Sequence, residues 1–124
     1  MKPWLDLKPR ASLVRNAARA VALLDAGHGG AGLAPATVSW ARKVAAGERL
    51  SITKVLEASA WLKRHGPNRA SAAARRDPTS PAAVAWRAWF CDPSIPWSRR
   101  RDDPAAAWIL DTARKIREAM EPAR

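Results

Sequence analysis

The residues of this chain best suited to chemistry are arginines, six of which lie in two short segments. One segment spans residues 66–79, and the other is the triplet Arg99–Arg101 that follows Trp97. A guanidinium group can bind a phosphate through two parallel hydrogen bonds, and an indole ring offers a flat face on which a nucleic-acid base can stack. We therefore predict a nucleic-acid-binding surface that consists of Arg69, Arg75, Arg76, Trp97, Arg99, Arg100 and Arg101.

The charge of the whole chain agrees with an anionic partner. Its 124 residues include 22 Lys+Arg and 11 Asp+Glu, which give a formal net charge of +11 at pH 7. Such a surplus attracts polyanions, although a GC-rich genome that encodes solvated surfaces with arginine and alanine would produce the same composition. We expect nucleic acid as the partner, and DNA before RNA, but the residues specify neither the type nor a base sequence.

The residue patterns of catalytic and metal sites are missing from the sequence. Cys91 is the single cysteine, and neither it nor the two histidines has the spacing of a nucleophile–base pair or a zinc site. The glycine-rich segment 27–30 follows no predicted strand, unlike the glycine motifs of oxyanion holes and phosphate loops. Asp102 and Asp103 are adjacent carboxylates, but Asp103 is better placed to cap a helix than to act as a catalytic acid or base. We expect no enzyme, no cofactor and no metal ion.

Proline, glycine and capping residues divide the chain into about five short helices. The pairs Ser80-Pro81 and Asp103-Pro104 each combine a capping side chain with a proline in the first helical turn. No alternating run of β-branched or aromatic residues predicts a strand. We predict a single all-α domain over residues 1–124, a compact bundle with helices at about 12–25, 36–46, 52–65, 81–91 and 104–121.

Three segments lie between or before these predicted helices. Residues 1–9 form an extended N-terminal arm that Trp4 and Leu5 fasten to the body, residues 66–79 form a basic linker, and residues 93–103 form a loop rich in proline and arginine. No apolar run approaches the ~20 residues needed to cross a bilayer, and no signal peptide is expected. We therefore expect a cytoplasmic protein without membrane contact.

The tryptophans are the second notable feature of the sequence. Trp86 and Trp89 are three residues apart, so a helix presents them on one side. Because the chain has few large aliphatic residues, we predict that Trp89 lies in the core and that Trp86 and Trp108 pack around it. Trp97 lies outside the predicted helices, and we expect it to be the tryptophan that contacts a partner.

Two further patterns concern single helices. Asp111 and Lys115 are four residues apart with the acid first, a spacing that predicts an ion pair worth about 0.2–0.5 kcal/mol. The second and third predicted helices, with the turn from Gly47 to Ser51 between them, have roughly the lengths of a helix-turn-helix unit. That alternative is weaker, because the turn is long and Lys43 stands where close helix crossing needs a small residue.

The segment 78–92, PTSPAAVAWRAWFCD, resembles a pattern found in small helical proteins and domains encoded by tailed bacteriophages and prophages. In that pattern Pro-Ser is followed by four or five residues, Ala-Trp, two residues, Trp-Gly-Gly-Asp and a helix with another tryptophan. The upstream organisation is also similar, so the resemblance extends over about residues 12–118. This chain differs in having Phe90-Cys91 in place of two glycines and in its additional loop at 93–103.

The resemblance implies a phage accessory protein, of a kind that often accompanies head-assembly functions, and it brings no chemistry for individual residues. Two functions stay open. The first is a small basic phage-type protein that binds nucleic acid mainly through phosphates, in the bacterial cytoplasm. The second is a structural or interaction protein, either a virion head component or a binder of a host protein, that uses an exposed Trp/Arg surface.

Overall fold

The structure is a computed structural model that describes residues 6–67 and 69–121, with the side chains of residues 69–71 outside the description. The described residues contain helices and no strand, which confirms the predicted all-α class. The elements are α1 (Ala11–Asp25), α2 (Pro35–Ala45), α3 (Ile52–His65), α4 (Arg69–Arg76), α5 (Pro81–Ala88), a 3-10 helix (Trp97–Asp102) and α6 (Pro104–Met120).

Three helices begin at the capping residues that the sequence indicates. The hydroxyl of Ser51 accepts a hydrogen bond from the backbone N–H of Lys54 (3.0 Å), and the hydroxyl of Ser80 accepts one from Ala83 (3.2 Å). The carboxylate of Asp103 does the same for α6. Each cap satisfies a backbone donor that the first helical turn leaves unpaired, which explains why these helices begin where they do.

Three helices end with a residue in the left-handed backbone conformation. Gly27 (φ +88°) follows α1, Gly47 (φ +82°) follows α2, and Phe90 (φ +76°) follows α5. Glycine adopts this conformation freely, whereas a side chain with a Cβ is strained in it. The first two endings are therefore readable from the sequence, and the third is not.

Phe90 keeps this conformation because its surroundings hold it from both sides. The N–H of Cys91 donates to the carbonyl of Trp86 (3.0 Å), which closes the last turn of α5 in a Schellman motif. The carbonyl of Phe90 accepts a hydrogen bond from the side-chain amide of Asn16 (3.0 Å), and the Phe90 ring is fully buried. Phe90 stands where the phage pattern has the first of its two glycines, and its backbone has the conformation that glycine favours.

The core lies between two groups of helices. Helix α1 packs on α2 and α5, α4 packs on α5, and α3 packs on α6. Where α1, α2 and the end of α5 meet, the buried residues are the alanines Ala20, Ala41 and Ala88, which allow close approach but supply little volume. The largest fully buried side chains elsewhere are those of Phe90, Leu13, Leu62, Ile109 and Ile116.

Two segments predicted to be irregular contain helices, so the described chain has more than the five helices expected. The predicted linker 66–79 includes α4, because alanine has the highest helix propensity and Ala74 is buried in the core. The predicted loop 93–103 includes the 3-10 helix. No helix among residues 6–67 and 69–121 is long and apolar enough to cross a membrane.

The N-terminal arm is described from Asp6 onward. The carbonyl of Leu7 accepts a hydrogen bond from the N–H of Leu50 (3.0 Å), and Pro9 is buried, so this part of the arm lies against the start of α3. Trp4 and Leu5, which we expected to fasten the arm, lie outside the described residues.

Candidate functional site

A half-open groove of about 360 Å³ lies where the 3-10 helix, α6 and the end of α3 meet. Five of its lining side chains are cationic and one is a carboxylate, so the groove concentrates positive charge on a concave surface. Such a surface raises the local concentration of anions. We call it the basic groove, and its lining residues are Lys63, Trp97, Arg100, Arg101, Leu110, Asp111, Arg114 and Arg117.

Helical periodicity and one glycine place these side chains. Leu110, Arg114 and Arg117 are spaced i, i+4, i+7 on α6, which puts them along one face of the helix. At the end of α3, a Cβ added to Gly66 would overlap the indole ring of Trp97. Only glycine therefore lets the 3-10 helix approach the end of α3 and close this wall of the groove.

The indole of Trp97 is a wall of the basic groove whose contacts are mostly internal. It is half-buried and packs against Gly66, and the guanidinium carbon of Arg100 lies 4.5 Å from its ring centroid. The Arg100 Nη1 group also donates a hydrogen bond to the Trp97 carbonyl (2.9 Å). A base that stacked on this ring would have to share it with Arg100, so stacking at Trp97 stays a prediction.

The arginine triplet is partly engaged with carboxylates. Arg99 pairs with Asp102 (Nε–Oδ2, 2.8 Å), and Arg101 pairs with Asp111 (Nη1–Oδ1, 2.8 Å). Both pairs are exposed, and pairs of this kind contribute about 0–1 kcal/mol, so a phosphate can compete for either guanidinium. The sequence-predicted partner of Asp111, Lys115, does not pair with it, because the fold brings a guanidinium from the 3-10 helix to the same carboxylate.

The basic groove contains only part of the predicted surface. It brings together Trp97, Arg100 and Arg101, whereas Arg75 and Arg76 are exposed at the end of α4 and do not line it. The side chain of Arg69 lies outside the described residues. Three cations of the groove were not predicted from the sequence, namely Lys63, Arg114 and Arg117. The i, i+3 spacing of Arg114 and Arg117 was a visible signal, but nothing in it showed which element would face them.

Four of the other described tryptophans form a cluster with a lysine, whereas Trp108 has the guanidinium carbon of Arg10 5.9 Å from its ring centroid. The Nζ atom of Lys54 lies 3.9 Å from the ring centroid of Trp89 and 5.9 Å from that of Trp40. The rings of Trp61 and Trp89 are stacked at 5.6 Å, and Trp61 meets the edge of Trp86 at 5.2 Å. We call Trp40, Trp61, Trp86, Trp89 and Lys54 the tryptophan cluster. Desolvation lowers the pKa of Lys54, which is buried and has Glu57 as its nearest carboxylate.

An apolar recess of about 310 Å³ borders this cluster on the side of α5. Its lining is mostly aromatic and aliphatic, with one imidazole, and the ring of His65 lies 4.5 Å from that of Trp61. A recess of this composition suits an apolar side chain and offers few hydrogen bonds. We call it the aromatic recess, and it is lined by Gly32, Leu33, Trp61, His65, Ala82, Ala85 and Trp86.

Two buried titratable groups, Asp103 and Cys91, lie in the segment that joins α5 to α6. Asp103 accepts hydrogen bonds from the N–H groups of Asp92 and Ala105, both at 3.0 Å, and so joins the segment after α5 to the start of α6. Burial raises the pKa of the Asp103 carboxyl group. Burial also raises the pKa of the Cys91 thiol well above its usual value, and the side chain has no exposed surface.

Comparison with known proteins gives no relative for this chain. No protein-family model, no curated protein and no solved structure matches it. The resemblance of residues 78–92 to the phage pattern therefore stays a prediction, and the functional proposal depends on the two surfaces described above.

Proposed function

We propose that this chain binds nucleic acid through phosphate contacts in the basic groove. The observation that supports this most directly is that five cations and a single carboxylate line one concave surface. Side chains of like charge repel one another, and an anion that enters the groove relieves that repulsion while releasing its own counterions. The groove gathers five of the 22 Lys and Arg residues on one concave surface, so part of the net charge of +11 acts at a single place.

The proposed partner is DNA, with RNA as the alternative polyanion. The cations of the groove reach phosphate oxygens, which occur in every nucleic acid, so binding would be largely independent of base sequence. Arg75 and Arg76 at the end of α4, together with Arg99, would add contacts outside the groove. An accessory role in a phage, in the host cytoplasm or in the virion, is part of the proposal and rests on the pattern at residues 78–92.

The test is fluorescence anisotropy with labelled 20-mers of duplex DNA, single-stranded DNA and RNA over a series of salt concentrations. We expect affinity to fall with salt at a log–log slope of about −0.9 per neutralised phosphate on duplex DNA. The double variant Arg114→Gln/Arg117→Gln should weaken binding at least ~10-fold and flatten this slope by about 1.8, since two phosphate contacts are lost.

The matched control is Arg15→Gln/Arg19→Gln, which removes the same charge from exposed positions on α1. It should change affinity less than ~3-fold, because general electrostatic attraction is shared by the whole surface. An equal loss in both double variants would contradict the groove as the site. Absence of binding by the unmodified protein at low salt would contradict nucleic-acid binding altogether.

The second candidate function is a structural or interaction protein, and the aromatic recess is the observation that favours it. A virion or host protein would insert an apolar side chain between Trp61, Trp86 and the alanines of α5. Such an interface should respond little to salt. The variant Ala82→Glu would fill the recess without harming α5, because an acidic residue is favourable in the first helical turn. Loss of a salt-insensitive interaction in this variant alone would support the second function.

A further inference from the structure

We propose that Asp111 competes with nucleic-acid phosphates for Arg101. Its carboxylate pairs with this arginine in the free protein and is displaced when a phosphate binds. This inference rests on the proposed nucleic-acid binding and concerns how the same groove discriminates among anions. The Oδ1 atom of Asp111 on α6 accepts a hydrogen bond from Nη1 of Arg101 on the 3-10 helix at 2.8 Å. The pair therefore joins two walls of the groove.

The position of Asp111 separates it from the other carboxylates nearby. Asp102 and Glu118 also pair with arginines, at 2.8 and 3.1 Å, but neither lines the groove. Among the described lining residues Asp111 is the one carboxylate, so an incoming phosphate meets its charge directly. An anion must therefore compete with Asp111 for Arg101, whereas Lys63 and Arg117 have no carboxylate within ion-pair distance among the described residues.

The exchange is feasible because both members of the pair are exposed and each has a second partner within reach. The side chain of Arg101 keeps 63% of its accessible surface and that of Asp111 keeps 42%, so neither must leave a buried place. A phosphate offers Arg101 the same charge-assisted hydrogen bonds as a carboxylate, and more oxygen atoms. Once released, Asp111 can pair with the exposed Lys115, one helical turn further along α6, at the spacing suited to an ion pair.

This arrangement predicts selectivity for polyanions. An anion with few charges gains little from Arg101 beyond the lost pair with Asp111, whereas a chain of phosphates also engages Lys63 and Arg117, which have no such partner among the described residues. Asp111 thus lowers affinity most for an anion that depends on Arg101, because such an anion has no other contact to offset the lost pair. Asp111 is a specificity-determining residue of the proposed site. Lys115 is the residue that pairs with it after a phosphate has displaced it from Arg101.

The experiment compares Asp111→Asn with Asp25→Asn in the 20-mer duplex binding assay. Asp25 pairs with Arg42 at 2.9 Å, is similarly exposed and does not line the groove, so the two variants change net charge equally. We expect Asp111→Asn to raise affinity ~3- to 10-fold and to steepen the salt slope by up to about 0.9, because one more cation becomes available. Asp25→Asn should raise affinity less than ~2-fold.

Lys115→Gln adds a test that a purely local charge effect would not pass. Lys115→Gln should weaken binding more in the unmodified protein than in Asp111→Asn. The reason is that Lys115 contributes by pairing with the displaced Asp111 carboxylate, which the asparagine variant lacks. Circular dichroism and thermal unfolding would establish that each variant is folded.

The outcomes separate this inference from the proposed function. Binding that is unchanged or weakened in Asp111→Asn, or raised equally in Asp25→Asn, would overturn the role of Asp111 and leave nucleic-acid binding intact. If Lys115→Gln weakened binding equally in the unmodified protein and in Asp111→Asn, this would contradict the pairing of Lys115 with the displaced Asp111. Failure of every protein to bind at low salt, including Asp111→Asn, would overturn the proposed function and this inference with it.

Discussion

The tryptophan cluster and the basic groove both place an indole beside a cation, and they do so with opposite consequences. In the cluster, Lys54 is buried against Trp89 and contributes to the packing of α3 on its neighbours. In the groove, Arg100 lies on Trp97 while the cations around it stay open to solvent. The comparison shows that an indole–cation contact does not mark a binding surface by itself. The number of further cations and their access to solvent make the difference.

The largest effect should distinguish the two regions by stability. Trp86→Ala removes a buried indole from the tryptophan cluster, and we expect it to lower the free energy of unfolding by about 3–5 kcal/mol. Trp97→Ala removes a half-buried ring and should cost about 1–2 kcal/mol. Urea unfolding of both variants measures this. Equal losses would show that the indole of Trp97 belongs to the core as fully as that of Trp86.

A smaller effect concerns the frame of the groove, where two adjacent carboxylates differ in burial. Asp103→Ala leaves the backbone N–H groups of Asp92, after α5, and of Ala105, in α6, without their acceptor, and we expect a loss of about 2–3 kcal/mol in unfolding free energy. Asp102→Ala removes only the exposed pair with Arg99 and should change it by about 0.5 kcal/mol or less. A destabilisation of Asp102→Ala as large as that of Asp103→Ala would contradict this difference.

The smallest effect tests whether the cation of the tryptophan cluster is needed at all. Replacing Lys54 by Met removes the desolvation of a buried charge but also the cation–π contact, so we expect the unfolding free energy at pH 7 to change by about 1 kcal/mol or less. Nucleic-acid affinity should be unchanged. The same removal of one positive charge at Arg117 should weaken binding without affecting stability.

The difference in unfolding free energy between the unmodified protein and Lys54→Met should depend on pH, and the pKa of Lys54 gives its direction. Because burial lowers the pKa of Lys54 in the folded protein, the unfolded chain binds more protons between that pKa and the usual value near ~10.4. The stability of the unmodified protein relative to Lys54→Met should therefore rise as pH increases through that interval. Urea unfolding at pH 7, 8.5 and 9.5 checks this, and a relative decrease would show that the folded protein favours the charged lysine.

Much of the local structure was predictable because the signals for it are local. Ser51, Ser80 and Asp103 mark the starts of α3, α5 and α6, since a cap acts within its own first turn. Gly27 marks the end of α1 for the same kind of reason. Helix α4 was not predicted, because residues 66–79 were interpreted as a basic linker although alanine favours a helix.

The candidate site was only half predictable. The triplet Arg99–Arg101 and Trp97 are contiguous in the chain, so composition pointed to them. Lys63 and Arg117 lie on α3 and α6 and reach the same groove because these two helices pack on each other, and Gly66 lets Trp97 of the 3-10 helix close one wall. The pairing of Asp111 with Arg101 rather than Lys115 depends on the packing of the 3-10 helix on α6.

By itself, the sequence determined the helical class, most helix boundaries and the charge surplus, because helix propensity, capping and net charge depend on residues within a turn or two or on composition alone. Only the tertiary structure decided which cations share a surface and that Trp86 is the buried tryptophan of the described residues while Trp89 is half-buried. It also decided that Phe90 adopts the conformation of a glycine, held by Asn16 from another helix. These outcomes depend on contacts between residues far apart in the chain, and no local pattern encodes them.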